Sequence, residues 1–144
     1  MPWGPNNIQQ TKAFIRGAIL LNNQKPRTSF EFAIVLRSNK RLIGGCGIRL
    51  KDPHQPVADL GYCLHPDVWG KGYGTETGKA LLQIGFRRLK AHRIWATCDL
   101  KNTKSENILR KIGMKKEGVL REHLLVKARW RSSCLYSILS TDQN

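Results

Sequence analysis

Helix-like and strand-like patterns alternate along this chain of 144 residues, and the class they predict is α/β, a mixed central sheet flanked by helices. Three observations carry that expectation. Apolar residues recur at helical spacing over residues 8–21 and again over 73–89. Short runs rich in branched and aromatic residues stand between and after them, bounded by turn residues. A glycine-rich turn, Trp69-Gly70-Lys71-Gly72-Tyr73-Gly74-Thr75-Glu76, joins one such run to the second helical pattern.

Each element follows from local chemistry. In the first helix Phe14, Ile15, Ala18, Ile19 and Leu21 share one face, which is expected to be buried, and Asn22, Asn23 and Pro26 end it. Residues 30–37 and 41–50 read as strands joined by Ser38-Asn39-Lys40, a hairpin signal. Residues 51–56 hold Pro53 and Pro56 and no other apolar residue, so they read as a loop. Residues 57–65 are the third strand, and the helix over 73–89 is expected to turn Ala80, Leu81, Ile84 and Leu89 inward. Residues 93–100 give another strand. Thr103-Lys104-Ser105-Glu106 fits a capping box at the next helix start, with Thr103 and Glu106 satisfying backbone donors. Gly113 ends that helix. Residues 114–121 and 134–139 are the last two strands, separated by a basic loop around 127–131.

Bulk properties narrow the function classes. The length suits one domain over residues 1–144, and 40% apolar content argues against disorder. No apolar run approaches a membrane span, and Met1-Pro2-Trp3-Gly4 lacks the charged and apolar regions of a signal peptide, so a cytoplasmic protein is expected. Cys46, Cys63, Cys98 and Cys134 stand singly in apolar segments and read as buried thiols. His54, His65, His92 and His123 have no metal spacing, and no metal is expected. Trp69 and Trp95 read as packing residues near strand ends. The 25 Lys and Arg against 10 Asp and Glu give a net charge of +15. Such a surface suits a phosphate-bearing ligand, and its surplus suits proximity to RNA, ribosomes or acidic proteins. A solvated basic surface explains the same number, and no nucleic-acid module is recognisable.

The glycine-rich turn carries the most chemistry. Glycines at alternate positions allow positive φ and close backbone approach, and the N–H groups opening the helix favour an anion. The glycines alone fit a plain strand-to-helix turn equally well. The turn is not a Walker loop, because Lys71 is followed by Gly72 rather than Ser or Thr.

Asp59-Leu60-Gly61-Tyr62, His65-Pro66 and residues 69–76 together resemble the acyl-CoA-binding motif of the GCN5-related N-acetyltransferases, the GNAT family. Asn102-Thr103-Lys104-Ser105, Leu109, Lys111-Ile112-Gly113-Met114 and Glu117-Gly118-Val119-Leu120-Arg121-Glu122 resemble its branch that acetylates N-terminal amines of ribosomal proteins. The resemblance covers roughly residues 30–139. It implies the GNAT mixed sheet, in which the strands over 57–65 and 93–100 splay and the pantetheine arm lies in the gap. Family members carry a further strand and helix before the helix expected at residue 8, and this chain begins too late to hold both. Either the start is truncated, or a partner subunit or altered packing fills that edge, and a monomer and a homodimer both fit.

The implied reaction transfers acetyl from acetyl-CoA, the cosubstrate, to a primary amine, with the N-terminal α-amine of a protein or peptide as the leading acceptor. Small amines such as polyamines or an antibiotic are the alternative, as is a catalytically weakened basic module binding RNA or ribosomes. Three jobs follow: removing a proton from the amine, donating to the oxyanion, and donating to the departing sulfur. Asp59 occupies the strand position where some relatives place a glutamate base, and a structural carboxylate fits it equally. Glu122 and His123 are rivals for that role. Many relatives use a tyrosine where Leu109 stands here, whereas the ribosomal branch places a serine at Ser105 for the sulfur. Ser105 also reads as a helix-start residue. The resemblance assigns Asn102 to the cofactor arm, the backbone of Gly70, Lys71, Gly72, Tyr73, Gly74 and Thr75 to the pyrophosphate beside Trp69, and an N–H near Leu64 to the acetyl carbonyl.

Overall fold

The computed structural model describes residues 5–143; the expectation for residues 1–4 lies outside that range. The chain runs α1 (Ile8–Asn22), β1 (Ser29–Val35), β2 (Leu42–Asp52), β3 (Gln55–Leu64), a short 3-10 turn (Pro66–Val68), α2 (Tyr73–Arg87) and β4 (Arg93–Asp99). It continues through α3 (Thr103–Lys111), β5 (Lys115–Val126) and β6 (Arg129–Leu139) to a final 3-10 turn (Ser140–Gln143). The six strands form one mixed sheet in the order β1-β2-β3-β4-β6-β5, as the α/β reading requires.

Among the described residues only β3 and β4 pair in parallel, through Val57 with Arg93, Ala58 with Ile94 and Asp59 with Trp95. The pairing stops there, so the two strands part beyond Asp59 and leave a gap in the middle of the sheet. Alternation along the strands sets the two faces. Ile48, Ala58, Leu60, Ile94, Ala96 and Tyr136 pack with Leu81, Leu82 and Leu109 of α2 and α3 into the core. Glu31, Gly47, Arg49, Asp59 and Trp95 stand on the opposite face. A Cβ at Gly74 would lie 2.5 Å from Ile108 Cδ1, so the missing side chain lets the start of α2 pack closely against the middle of α3.

Several local expectations change. The strands β2 and β3 run through most of residues 51–56 and turn only at Pro53-His54, with Asp52 paired to Gln55. Pro56 is tolerated at the start of β3, where the ladder begins. The basic segment around 127–131 is a two-residue turn, because Lys127 and Ala128 both adopt positive φ (48° and 61°) and let β5 and β6 pair up to Val126 and Arg129. Ala80 is exposed, while Leu82 and Gly85 join Leu81 and Leu89 inside. Cys98 and Cys134 are buried as expected, but Cys46 and Cys63 are only partly so; all four are thiols rather than disulfides. Helix α1 forms where its periodicity placed it and packs mainly on β1. Its apolar face is not buried: Phe14 is 64% exposed, and Ile15 and Ile19 are also open.

Gly113 closes α3 as expected. At φ 95° its N–H donates to Arg110 and the next N–H, of Met114, donates to Leu109, a paired C-terminal cap.

A prediction arises at the outer strands. Arg93 on β4 binds Glu117 on β5 through both terminal guanidinium nitrogens, Nη1 and Nη2, and the Ser137 hydroxyl donates to the same carboxylate. The Arg93 hydrogen bonds, followed by that of Ser137, hold the Glu117 carboxyl down at about 2. A depressed carboxyl stabilises the fold above its ordinary pKa of 4.5 and loses that contribution as pH falls toward 2. The Glu117 side chain is 38% exposed, so screening keeps the effect modest. The difference in melting temperature between wild type and Glu117→Gln is therefore expected to be largest near pH 7 and to shrink between pH 4.5 and about 2. A difference that is constant across that range would show that the pair adds nothing through its charge.

Candidate active site

The start of α2 is built to leave donors unused. Gly70 and Gly72 have φ of 75° and 85°, and a Cβ at either would meet nothing within 4 Å. Gly72 is the N-cap and supplies no side-chain hydrogen bond. The first bond of the helix runs from the Glu76 N–H to the Gly72 carbonyl at 3.1 Å, so the N–H groups of Tyr73, Gly74 and Thr75 precede it and point outward. Lys71 is exposed beside them. Positive backbone dipoles, a lysine and open space over two glycines fit a pyrophosphate. Acetyl-CoA thus passes a test of fit on this turn.

The end of β3 lies next to that turn. The His65 N–H donates to the Ile43 carbonyl at 2.7 Å, across a register that pairs Leu64 with Gly44. In an antiparallel ladder this makes Leu64 a non-hydrogen-bonded partner of Gly44 and turns its own N–H and C=O away from β2, toward the gap. The Leu64 carbonyl accepts from the Trp69 indole at 2.9 Å. Trp69 is therefore no core residue. It is 48% exposed, with the Lys104 ammonium 4.7 Å from its ring centre, and it ties the end of β3 to the start of α3. Trp95 is also only partly buried, with Lys51 above it at 6.0 Å.

At the start of α3 the cap is Asn102, not Thr103. The Asn102 Oδ1 accepts the Ser105 N–H at 3.0 Å, which leaves its amide N–H groups for other partners. Glu106 does not complete a capping box, because the Tyr136 hydroxyl donates to it at 2.6 Å, and Arg110 and Lys116 bind the same oxygen. The Ser105 hydroxyl is 3.2 Å from the Tyr62 hydroxyl, on the helix side of the gap. Leu109 is 1% exposed and belongs to the core.

Asp59 stands on the other face, at the last pair before β3 and β4 separate. Its Oδ2 lies 3.8 Å from Arg49, and its Oδ1 is buried with no hydrogen-bond partner among the described residues. Glu31 is close by: its carboxylate lies over Gly47, where a Cβ would collide with it. Burial pushes the Glu31 carboxyl up, against a lowering by Arg49 and with a further rise from Asp59. Burial, with Glu31 behind it, also lifts the neighbouring Cys46 thiol to about 11, so this thiol stays protonated.

The structure brings Leu64, Trp69, Asn102 and Ser105 around one end of the gap, next to the turn over residues 70–75, and puts Asp59 on the opposite face. Glu122 and His123 lie instead at the irregularity in outer strand β5. Sequence reading missed Arg49 and Glu31. Their charges inside otherwise apolar or glycine-rich strands were the available signal, but only the register shows that they share a face with Asp59. Tyr62 was noticed inside a motif and given no task. Among the described residues no group of His, Cys, Asp or Glu could hold a metal ion, and no helix is long and apolar enough to cross a membrane.

The sheet splits at a parallel strand pair beside a donor-rich helix start, an arrangement that suits a ligand with an extended arm and a pyrophosphate. Comparison makes that specific. The acetyltransferase (GNAT) domain family matches residues 1–115. The uncharacterized N-acetyltransferase YnaD of Bacillus subtilis (strain 168) is 30% identical over 144 residues, covering 100% of this chain and 81% of that protein. The [Ribosomal protein uS5]-alanine N-acetyltransferase of Escherichia coli (strain K12) is 31% identical over 83 residues, covering 58% of this chain and 43% of its own length. The crystal structure of a GNAT-family acetyltransferase from Bacillus anthracis superposes with a TM-score of 0.81 at 28% identity, over 100% of this chain and 80% of that one. The chain belongs to the GNAT acetyltransferase family, and it is an acetyl-CoA-dependent N-acetyltransferase.

Proposed function

We propose that this acetyltransferase works in the cytoplasm on the free α-amine of a protein or peptide. The observation that supports this most is the division of labour across the gap: a carboxylate oxygen with no partner on one face, and a serine hydroxyl on the other. In this reading the backbone of residues 70–75 and Lys71 hold the pyrophosphate, and Asn102 holds the cofactor arm. The Leu64 N–H, turned into the gap, donates to the acetyl oxygen. Asp59 takes the proton of the amine, directly or through water, and Ser105 donates to the departing sulfur. Bound acetyl-CoA supplies the acetyl carbon and a thiolate leaving group.

The acceptor class follows from acidity and charge. An α-amine has a pKa of about 7.7 to 8, against about 10.4 for lysine, so much more of it is neutral near pH 7. A carboxylate held by Arg49 is then base enough. A cleft of about 410 Å³ at the end of β4 and the tip of the β5–β6 hairpin is lined by Lys101, Arg129, Arg131 and Trp130, with Asp99 already paired to Arg131. Its surplus positive charge favours acceptors carrying acidic groups and disfavours polyamines. The same charge suits an acceptor presented on a ribosome or near RNA.

The test is acetylation, followed by mass spectrometry, of three acceptors: a peptide with a free N-terminus and no lysine, the same peptide N-blocked and carrying one lysine, and spermidine. The first is expected to react fastest. Asp59→Asn is expected to slow it roughly tenfold, below the usual 10²–10⁴ for a general base, because the α-amine is already partly neutral. Preference for the lysine peptide or for spermidine would replace the acceptor. No transfer to any of them, with retained RNA binding, would favour the basic-module reading.

A further inference from the structure

The sulfur side of the gap holds a hydroxyl that the proposed reaction has not yet used. Tyr62 projects from β3 toward the start of α3, half-buried, and its Oη lies 3.2 Å from Ser105 Oγ and 3.5 Å from the Ser105 carbonyl oxygen. We propose that Tyr62 is a positioning residue for acetyl transfer: it donates its phenolic hydrogen to Ser105 Oγ and so aims the hydrogen of Ser105 at the departing sulfur. This inference rests on the acetyltransferase reading of the Ser105 site.

The direction of the bond follows from chemistry. Either hydroxyl can donate at this distance, and the one phenolic hydrogen also has the Ser105 carbonyl oxygen within 3.5 Å, but Oγ is the nearer acceptor at 3.2 Å, and a phenol is the more acidic hydroxyl whose own oxygen, sharing its lone pair with the ring, is the poorer acceptor. Burial raises the Tyr62 pKa above its ordinary value, while the Ser105 hydrogen bond lowers it and Cys98 adds a rise. The phenol therefore stays protonated through the neutral range and keeps its hydrogen to give. Ser105 has one hydroxyl hydrogen. If Tyr62 occupies the Ser105 lone pair, that hydrogen stays free for the gap, and accepting a bond strengthens it as a donor. Nor do the neighbouring acceptors draw the Ser105 hydrogen away. The Asn102 Oδ1 is used on the Ser105 N–H, and Glu106, held ionised chiefly by the hydrogen bonds of Tyr136 and Lys116, faces those partners.

In the step served, the amine nitrogen bonds to the acetyl carbon and the carbon–sulfur bond breaks, leaving its electron pair on sulfur. Ser105 stabilises that charge by a hydrogen bond. No proton need pass through Tyr62, so a phenol with a raised pKa is no obstacle.

The experiment uses coenzyme A itself and does not depend on the acceptor. The thiol of bound coenzyme A is titrated by its ultraviolet thiolate absorbance in wild type, Tyr62→Phe, Ser105→Ala and the double variant, after calorimetry has shown saturation. Wild type is expected to bind the thiol about one pKa unit more acidic than in free coenzyme A, a tenfold shift in its ionisation. Ser105→Ala is expected to abolish that shift, Tyr62→Phe to remove a clear part of it, and the double variant to match Ser105→Ala. Phenylalanine keeps the ring, so melting temperatures should stay close. An unmoved thiol pKa in Tyr62→Phe, or single effects that add in the double variant, would overturn the positioning role alone. Failure of wild type to bind coenzyme A would overturn the site reading on which the role rests.

Discussion

Replacing Gly72 by glutamate is expected to weaken acetyl-CoA binding at least about 100-fold, equivalent to roughly 2.8 kcal/mol, with little loss of folded protein. Two effects add. Gly72 sits at φ 85°, where an L-residue costs roughly 1–2 kcal/mol, so the bound form of the turn becomes harder to hold. The larger effect is electrostatic. The N–H groups of Tyr73, Gly74 and Thr75 lie just beyond Gly72, and a carboxylate there occupies the positive end of α2 and repels a pyrophosphate. No atom lies within 4 Å of the added Cβ, so the side chain is accommodated and the fold survives. Calorimetric titration at moderate salt measures the change. Gly72→Ala separates its parts, because alanine brings the strain without the charge and is expected to lose far less affinity. Equal binding by Gly72→Glu and wild type would remove the pyrophosphate from this turn.

Much of the candidate site was legible because its determinants are local. The glycine run between a strand and a helix, and Asn102 three residues before Ser105, are short-range patterns whose geometry follows from backbone chemistry. The alternation of strands and helices likewise gave the class and most element positions. Register was not legible. Arg49 and Asp59 are ten residues apart in sequence, and only the β2–β3 pairing puts them opposite each other. The capping box was misread for a related reason: Glu106 is drawn off by Tyr136 from β6 and by Lys116 from β5, partners that no local window contains. The basic stretch at 127–131 looked like a long loop because charge resembles solvent exposure, yet positive φ at two non-glycine residues made it a tight turn. The first helix shows the converse limit. Its periodicity fixes which residues share a face, but burial depends on another element to cover them, and here Phe14 stays open.

Gly44→Ala is expected to cost about 3 kcal/mol of stability, at the upper end for overpacking, and to lower the melting temperature by roughly 10 °C for a chain of this size. Gly44 faces the helix side of β2, and an added Cβ would collide with the Cys63 carbonyl oxygen while sitting 3.1 Å from both the Cys63 carbonyl carbon and the Leu64 Cα. These are backbone atoms of the adjacent strand. A flexible side chain could swing aside, but β3 can yield only by moving away from β2. It would do so at the end where Leu64 turns its N–H into the gap and accepts the Trp69 indole, so coenzyme A binding should weaken along with stability. Gly61→Ala is the matched comparison on the same strand pair, since a Cβ there meets nothing within 4 Å. Reduced freedom of the unfolded chain should make that change neutral or stabilising by about 0.4–1 kcal/mol. Thermal unfolding of the two variants side by side separates the local collision from any general intolerance of alanine in these strands. Equal melting temperatures would mean that β2 and β3 do not approach each other as closely at Gly44 as the structure shows.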